Sequence, residues 1–222
     1  IVEAHLRLRA LPAAHRSLAG SGALHDVAAA AARVLAAGAA PAALEALSPP
    51  LAHALLGADG WVLLSREMGG RAAADEDLQV VDRAMGAALR RRALDDAGGP
   101  WRRWREVVGG WPVMLRIGAD PAAWPDAVAL AHEHCGTPAG VSVTVVRGTV
   151  RVGLAAVRPA AVRDLRAAAA RRGWPVVLDR ADAAVRDAAG VWGALPPGAQ
   201  RLTERLRRSF DPNGVFAVPI LG

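Results

Sequence analysis

Between positions 2 and 11 apolar and polar residues alternate, with Val2, Ala4, Leu6 and Leu8 on one side and Glu3, His5, Arg7 and Arg9 on the other, until Pro12 stops the pattern. A period of two predicts a half-buried strand. From Ser21 the period lengthens, and Leu24, Val27, Ala31, Val34 and Leu35 fall on one face of a helix that Gly38 terminates. Short strands are predicted over 41–47 and 60–67. A second helix is predicted over 75–94, with Leu78, Val81, Met85 and Leu89 facing inward, before the break at Gly98-Gly99-Pro100.

The most regular stretch runs from Trp111 to Leu178. A strand (112–117), a helix (121–135), a hairpin, a second helix and a last strand follow one another, giving the order β-α-β-β-α-β. The hairpin strands are 141–146 and 149–156, joined at Arg147-Gly148, where glycine supplies the positive φ the turn needs. The helix over 159–172 opens with Pro at its first position, buries Val162, Leu165 and Ala169, and stops at Gly173. This order is the ferredoxin-like split βαβ arrangement. The series between His15 and Leu94 has a similar order, so the chain reads as two duplicated units sharing one sheet, although their sequences are too different to identify a repeat directly. The expected fold is α+β: an antiparallel sheet with helices on one face, built from ferredoxin-like βαββαβ units. After Pro196-Pro197-Gly198 a final helix is predicted with Leu202, Leu206 and Phe210 inward and Arg201, Arg205 and Arg208 beside them. Asp211-Pro212-Asn213-Gly214 closes it with turn chemistry.

Composition narrows the function classes. The chain has 222 residues, 53% of them apolar, which suffices for a sizeable core. Ala dominates that fraction, and two Phe, no Tyr and seven Trp leave aromatic anchoring to tryptophan. The net charge of +6 and the pI of about 11.2 would ordinarily suggest an acidic partner. There is no Lys, however, so every cation is Arg, and this together with abundant Ala, Gly and Pro reads as GC-rich codon usage, not as a nucleic-acid surface. A single cysteine, Cys135, forms no internal disulfide and fits a reducing, cytoplasmic setting. The most apolar stretch, 27–47, is interrupted by Arg33, Pro41 and Glu45, so no direct membrane span is expected. No secretory signal is visible, and the start at Ile1, within a strand pattern, implies that the natural beginning lies upstream.

Two segments carry a resemblance. The run Leu206-Arg207-Arg208-Ser209-Phe210-Asp211-Pro212-Asn213-Gly214-Val215-Phe216, after a helix with Leu at every fourth residue, resembles the C-terminus of FAD-linked oxidases of the vanillyl-alcohol oxidase type. The segment from Ile1 to Pro12 is similar to the strand by which that family's FAD-binding domain hands over to its C-terminal domain. Within the family the spacing is most similar to the FAD-binding E subunit of glycolate oxidase. The resemblance implies three parts: residues 1–12 ending a FAD-binding domain that lies outside this chain, 13–195 forming a ferredoxin-like substrate or cap domain, and 196–222 returning to the flavin domain. It implies FAD held mainly by that other domain, a small 2-hydroxy acid such as glycolate as substrate, and hydride transfer to flavin. Electrons would then pass to other subunits of a glycolate-oxidase-like complex, which would also bring the chain to the inner face of the membrane as a peripheral protein. Asn213 and Phe216 become candidate flavin contacts. The family's closing Asn-Pro-Gly is replaced here by Ala217-Val218-Pro219, which weakens the flavin contact of the tail.

Other candidates come from the residues themselves. Arg116 sits in the apolar strand Val113-Met114-Leu115-Arg116-Ile117, where a buried charge would be costly. One reading is a clamp for a substrate carboxylate, whose two oxygens match the guanidinium fork. The plainer reading is an outward-facing Arg paired to a surface acid. His132-Glu133-His134-Cys135 suggests a metal site only superficially, because residues two apart on a helix point to different faces; no metal is expected. The cluster Trp101-Arg102-Arg103-Trp104-Arg105 is the best candidate for a contact surface with a partner subunit. No catalytic residue is identifiable. A flavin-free scaffold subunit and a basic ferredoxin-like nucleic-acid binder are the alternatives.

Overall fold

The computed structural model describes residues 12–94, 99–193 and 197–215, so the expected strand over 2–11 lies outside the described residues. The first half runs β1 (Ala14–Gly22), α1 (Leu24–Ala36), β2 (Ala43–Leu47), α2 (Pro49–Leu56), β3 (Trp61–Gly69), α3 (Arg71–Met85) and β4 (Arg90–Leu94). A connecting helix α4 (Pro100–Gly110) leads to β5 (Val113–Gly118), α5 (Trp124–Cys135), β6 (Gly140–Thr144), β7 (Thr149–Leu154), α6 (Pro159–Ala170) and β8 (Val176–Arg180). Helices α7 (Ala183–Ala189) and α8 (Pro197–Phe210) follow.

The eight strands form one sheet in the order β4-β1-β3-β2-β6-β7-β5-β8, every neighbouring pair antiparallel. Counted within each half, the orders are 4-1-3-2 and 2-3-1-4. The chain is therefore two βαββαβ units meeting edge to edge, with β2 paired to β6 and Ala46 opposite Val143. The duplication expected from element order is present in the topology.

Alternation along the strands assigns side chains to two faces. Leu18, Leu44, Leu63, Leu115, Ile117, Val150 and Leu178 point to the face packed by α1, α3, α5 and α6, where Val27, Val34, Met85, Trp124 and Leu165 complete the main core. Trp61 of β3 meets Trp124 of α5, ring centroids 5.8 Å apart. That contact ties the two units together on the helical side. Hairpin β6–β7 turns through a short 3-10 segment at Val145–Arg147 and Gly148, whose φ of 60° is left-handed; a Cβ there would lie 2.0 Å from the Ala119 carbonyl oxygen.

Three expectations are corrected. The helix predicted over 75–94 ends at Met85, because Gly86 at φ 74° breaks it; Leu89 is buried as expected, but the chain then continues as edge strand β4. Residues 100–110, read as the aftermath of a break, form α4 with Pro in its first turn. On α8 the three positions expected inward are exposed: Leu202 at 57%, Leu206 at 48% and Phe210 at 78%. The four-residue spacing puts the three side chains on one side of α8, and that side is exposed.

Candidate functional site

The other face of the sheet is built differently. Among the described residues only α2 and α4 lie on it, packing Leu51, Leu55, Trp101 and Val108 against Ala19, Leu47, Val62 and Leu64. The arginines of the Trp101–Arg105 cluster face solvent, whereas its indoles turn in. Trp101 Nε1 donates to Ser17 Oγ at 2.9 Å, and Trp104 Nε1 donates to Ser142 Oγ at 2.9 Å. Just beyond α4, Trp111 lies against the cross-strand pair Gly140 and Gly153, and a Cβ on Gly153 would fall 2.0 Å from its Cδ2. Arg180 fastens this end by donating to the carbonyls of Gly109 and, at 2.9 Å, Trp111.

Next to α4 the same face carries no helix among the described residues, and the strands there are polar. Register places His15, Arg66, Ala43, Glu45, Thr144, Arg151 and Arg116 on it, taken from six strands. At its centre, on the seam between the two units, is Glu45, only 4% exposed. Its two oxygens accept hydrogen bonds from the other unit: Ser142 Oγ donates at 2.8 Å and Thr144 Oγ1 at 2.6 Å. Burial raises the Glu45 pKa above the usual carboxylate range, opposed in part by those two hydroxyls and by the positive charge of Arg151.

Arg151 donates to Thr144 Oγ1 at 2.8 Å, with its guanidinium carbon 5.9 Å from the Trp104 ring centroid. Arg66 stands in the same relation to Trp101, at 5.9 Å, and donates to His15 Nδ1 at 2.9 Å. Two tryptophans one turn apart on α4 thus each hold an arginine against the sheet by cation–π contact. The result is a cation-bearing surface suited to an anionic ligand.

Arg116 lies on this face, but its guanidinium is engaged in a forked pair with Asp179, at 2.8 and 3.1 Å. That pair raises its pKa further and matches the plainer of the two readings given to this residue. Asn213 is exposed in the turn after α8, where Asp211 accepts from the Val215 amide at 2.7 Å; Phe216 lies outside the described residues. His132 is exposed in the last turn of α5, and no group of three potential metal ligands occurs among the described residues. Burial pushes the Cys135 thiol up to about 11, far from a reactive thiolate.

Glu45, Thr144 and Arg151 were not singled out by the sequence reading, and Trp104 entered it only as a member of the Trp101–Arg105 cluster. A signal existed for Glu45 and for the two tryptophans. Glu45 interrupts the apolar run Ala43-Leu44-Glu45-Ala46-Leu47 just as Arg116 interrupts its own strand, and Trp101 and Trp104 are three apart after a Pro, a helical spacing. Nothing in the sequence could show that the two units join through Glu45.

No family model and no curated protein matches the chain. Solved structures do. A 4-ethylphenol oxidase from Gulosibacter chungangensis, in complex with isoeugenol, superposes with a TM-score of 0.59 at 17% identity, over 93% of this chain and 53% of the oxidase. A substrate-bound p-cresol methylhydroxylase gives 0.57 at 14% identity, over 91% and 51%. An alkyldihydroxyacetonephosphate synthase gives 0.51 at 10%, over 92% and 44%. The chain spans about half the length of these proteins, and its fold is the one that they carry in that half.

Proposed function

We propose that this chain is the C-terminal, substrate-side part of a FAD-dependent oxidoreductase of the vanillyl-alcohol oxidase type, acting on a small 2-hydroxy acid such as glycolate. The matched structures are FAD-linked oxidases or synthases of that type, and the likeness extends over nearly the whole of this chain while leaving about half of theirs unmatched. The observation that carries the reading is the polar part of the sheet face beside α4, lined by Arg66, Arg116, Arg151, Glu45 and Thr144. Such a surface fits a role as cover over a flavin ring and its substrate, because its polar groups are fixed by strands and by α4 before any ligand arrives.

FAD, when bound, supplies the hydride acceptor. Its diphosphate and adenosine parts would be held by the domain outside this chain. What this chain contributes is orientation: arginines hold the substrate carboxylate, and the α4 indoles exclude water from one side of them. Arg116 can act there once Asp179 yields one limb of the fork. Asn213 belongs to the segment that would return to the flavin domain, and the exposed apolar stripe Leu202, Leu206 and Phe210 of α8 supplies the face for that docking. The domain division at 12 and 195, the electron-accepting partner subunits and a peripheral place at the inner face of the membrane belong to the same proposal. Among the described residues no helix is long and apolar enough to cross a membrane.

The test is the intact gene product. Sequence upstream of Ile1 should encode a Gly-rich FAD-binding domain, and the purified protein should be yellow and release FAD on acid denaturation. An unrelated upstream domain, or a colourless protein that FAD does not reconstitute, would refute the oxidase reading in favour of a flavin-free scaffold.

A further inference from the structure

We propose that Arg151, together with Arg116 directly opposite it on the neighbouring strand, forms a carboxylate-binding subsite on the polar part of the sheet face beside α4. The register of β5 and β7 sets Arg116 against Arg151 as a cross-strand pair. Like charges in directly opposed positions destabilise a sheet. Each arginine therefore needs a compensating group, and only one has an acid. Asp179 occupies Nε and Nη2 of Arg116. Arg151 makes no ion pair with any acid among the described residues; it bonds Thr144 through Nη1 and stands over Trp104.

The nearest acid to Arg151 along this network, Glu45, attracts it but meets it only through the Thr144 hydroxyl. It is buried at 4% exposure and both its oxygens are taken by Ser142 and Thr144, so it leaves the Arg151 fork open. Asp179 answers the charge of Arg116, which leaves Arg151 as the member of the pair whose guanidinium fork holds no acid. One carboxylate fits that fork. Arg151 is also held in place before binding, by a hydroxyl on one side and an indole on the other, so little side-chain freedom remains to be lost. Its half-buried guanidinium keeps Nε and Nη2 without hydrogen-bond partners among the described residues and presents the fork that binds a planar carboxylate through two hydrogen bonds. The choice of a carboxylate among anions rests on the oxidase reading above; the anion site itself does not.

Titration of the ¹⁵N-labelled chain with glycolate at fixed ionic strength, following arginine Nε–Hε resonances, tests this without flavin. Glycolate should shift Arg151 and Arg116 together and saturably, and Arg151→Gln should weaken binding about tenfold or more. Arg151→Lys should retain part of the affinity, and Arg201→Gln on α8 should change nothing. A non-saturating titration, or equal affinity in Arg151→Gln and Arg151→Lys and the parent chain, would overturn the subsite. Sulfate binding more tightly than glycolate in a parallel titration would overturn the carboxylate assignment. A colourless intact protein would sink the oxidase reading and leave the subsite standing; a yellow protein reduced by glycolate with no dependence on Arg151 would sink the subsite alone.

Discussion

Replacing Glu67 by Gln should make the protein's stability less sensitive to pH, and by an amount that the structure allows to be worked out. Glu67 lies on the helical face of β3, opposite Arg16 of β1, and is only 1% exposed. Ser65 Oγ reaches its Oε2 at 3.5 Å, and its buried Oε1 has no hydrogen-bond partner. Burial pushes its pKa from 4.5 up to about 7, opposed by the hydrogen bond from Ser65 and helped to a smaller degree by the negative charge of Asp77. Below pH 4.5 the carboxyl is protonated in both folded and unfolded chains, and no linkage arises. Between pH 4.5 and 7 the unfolded chain releases the proton while the folded chain keeps it, so stability falls as pH rises. Above pH 7 both forms are ionised and the loss levels off. At 1.36 kcal/mol per unit, the part of this loss that falls between pH 5 and pH 8 is about 2.5 kcal/mol.

Gln has no proton to exchange, so the stability difference between the Glu67→Gln variant and the parent should shift by about 2.5 kcal/mol in the variant's favour from pH 5 to pH 8. The absolute gain will be smaller, because the new amide must place a donor where Oε1 now lacks a partner. The difference between two pH values removes that constant term. Urea unfolding followed by tryptophan fluorescence at both pH values reads the effect as a relative midpoint shift of about 1 M. A variant that tracks the parent at both pH values would refute the reasoning, since Glu67 would then be ionised without penalty.

Three further substitutions probe the packing around the sheet, two on the face that carries the site and one on the opposite face. Gly153→Ala should lower stability by about 2 kcal/mol or more, because the new methyl meets the Trp111 ring, whereas Gly109→Ala, where the space is open, should be close to neutral; thermal unfolding compares them. Arg166 donates to the carbonyls of Val176, Ala189, Gly190 and Val191, so Arg166→Met should cost about 3 kcal/mol and speed amide hydrogen exchange around 176–191 first. Trp104→Phe removes the indole donor to Ser142 and should cost about 1 kcal/mol, and a double-mutant cycle with Arg151→Gln should reveal a coupling of about 0.5–1 kcal/mol from the lost cation–π contact.

The second unit was legible in detail because each of its elements has a clean period and a clear stop: Val162, Leu165 and Ala169 mark one helical face, and Gly148 and Gly173 mark its turns. The first unit was legible only in outline. Arg90-Arg91-Arg92 sits on an edge strand whose exposed side chains have no alternation to show, so Leu89 extended the helical pattern of Leu78, Val81 and Met85 past its true end at Gly86. Helix α4 escaped because its buried residues, Trp101, Val108 and the half-buried Trp104, are scattered among arginines. The site was harder still. Arg116 announced itself as a charge in an apolar strand, but its acid, Asp179, is 63 residues away, and the Glu45 network joins residues nearly 100 apart. Contacts of that range are set by strand order, which local periodicity does not encode.

Anaerobic reduction of the intact gene product tests the central claim most directly. Glycolate added to the oxidised, yellow protein should bleach its flavin absorbance, and Arg151→Gln should slow that bleaching at sub-saturating glycolate while retaining bound FAD. An intact protein that binds FAD yet is not reduced by glycolate or related 2-hydroxy acids, and is reduced by neutral phenols such as 4-ethylphenol, would contradict the assignment of the polar sheet face beside α4 to a carboxylate substrate.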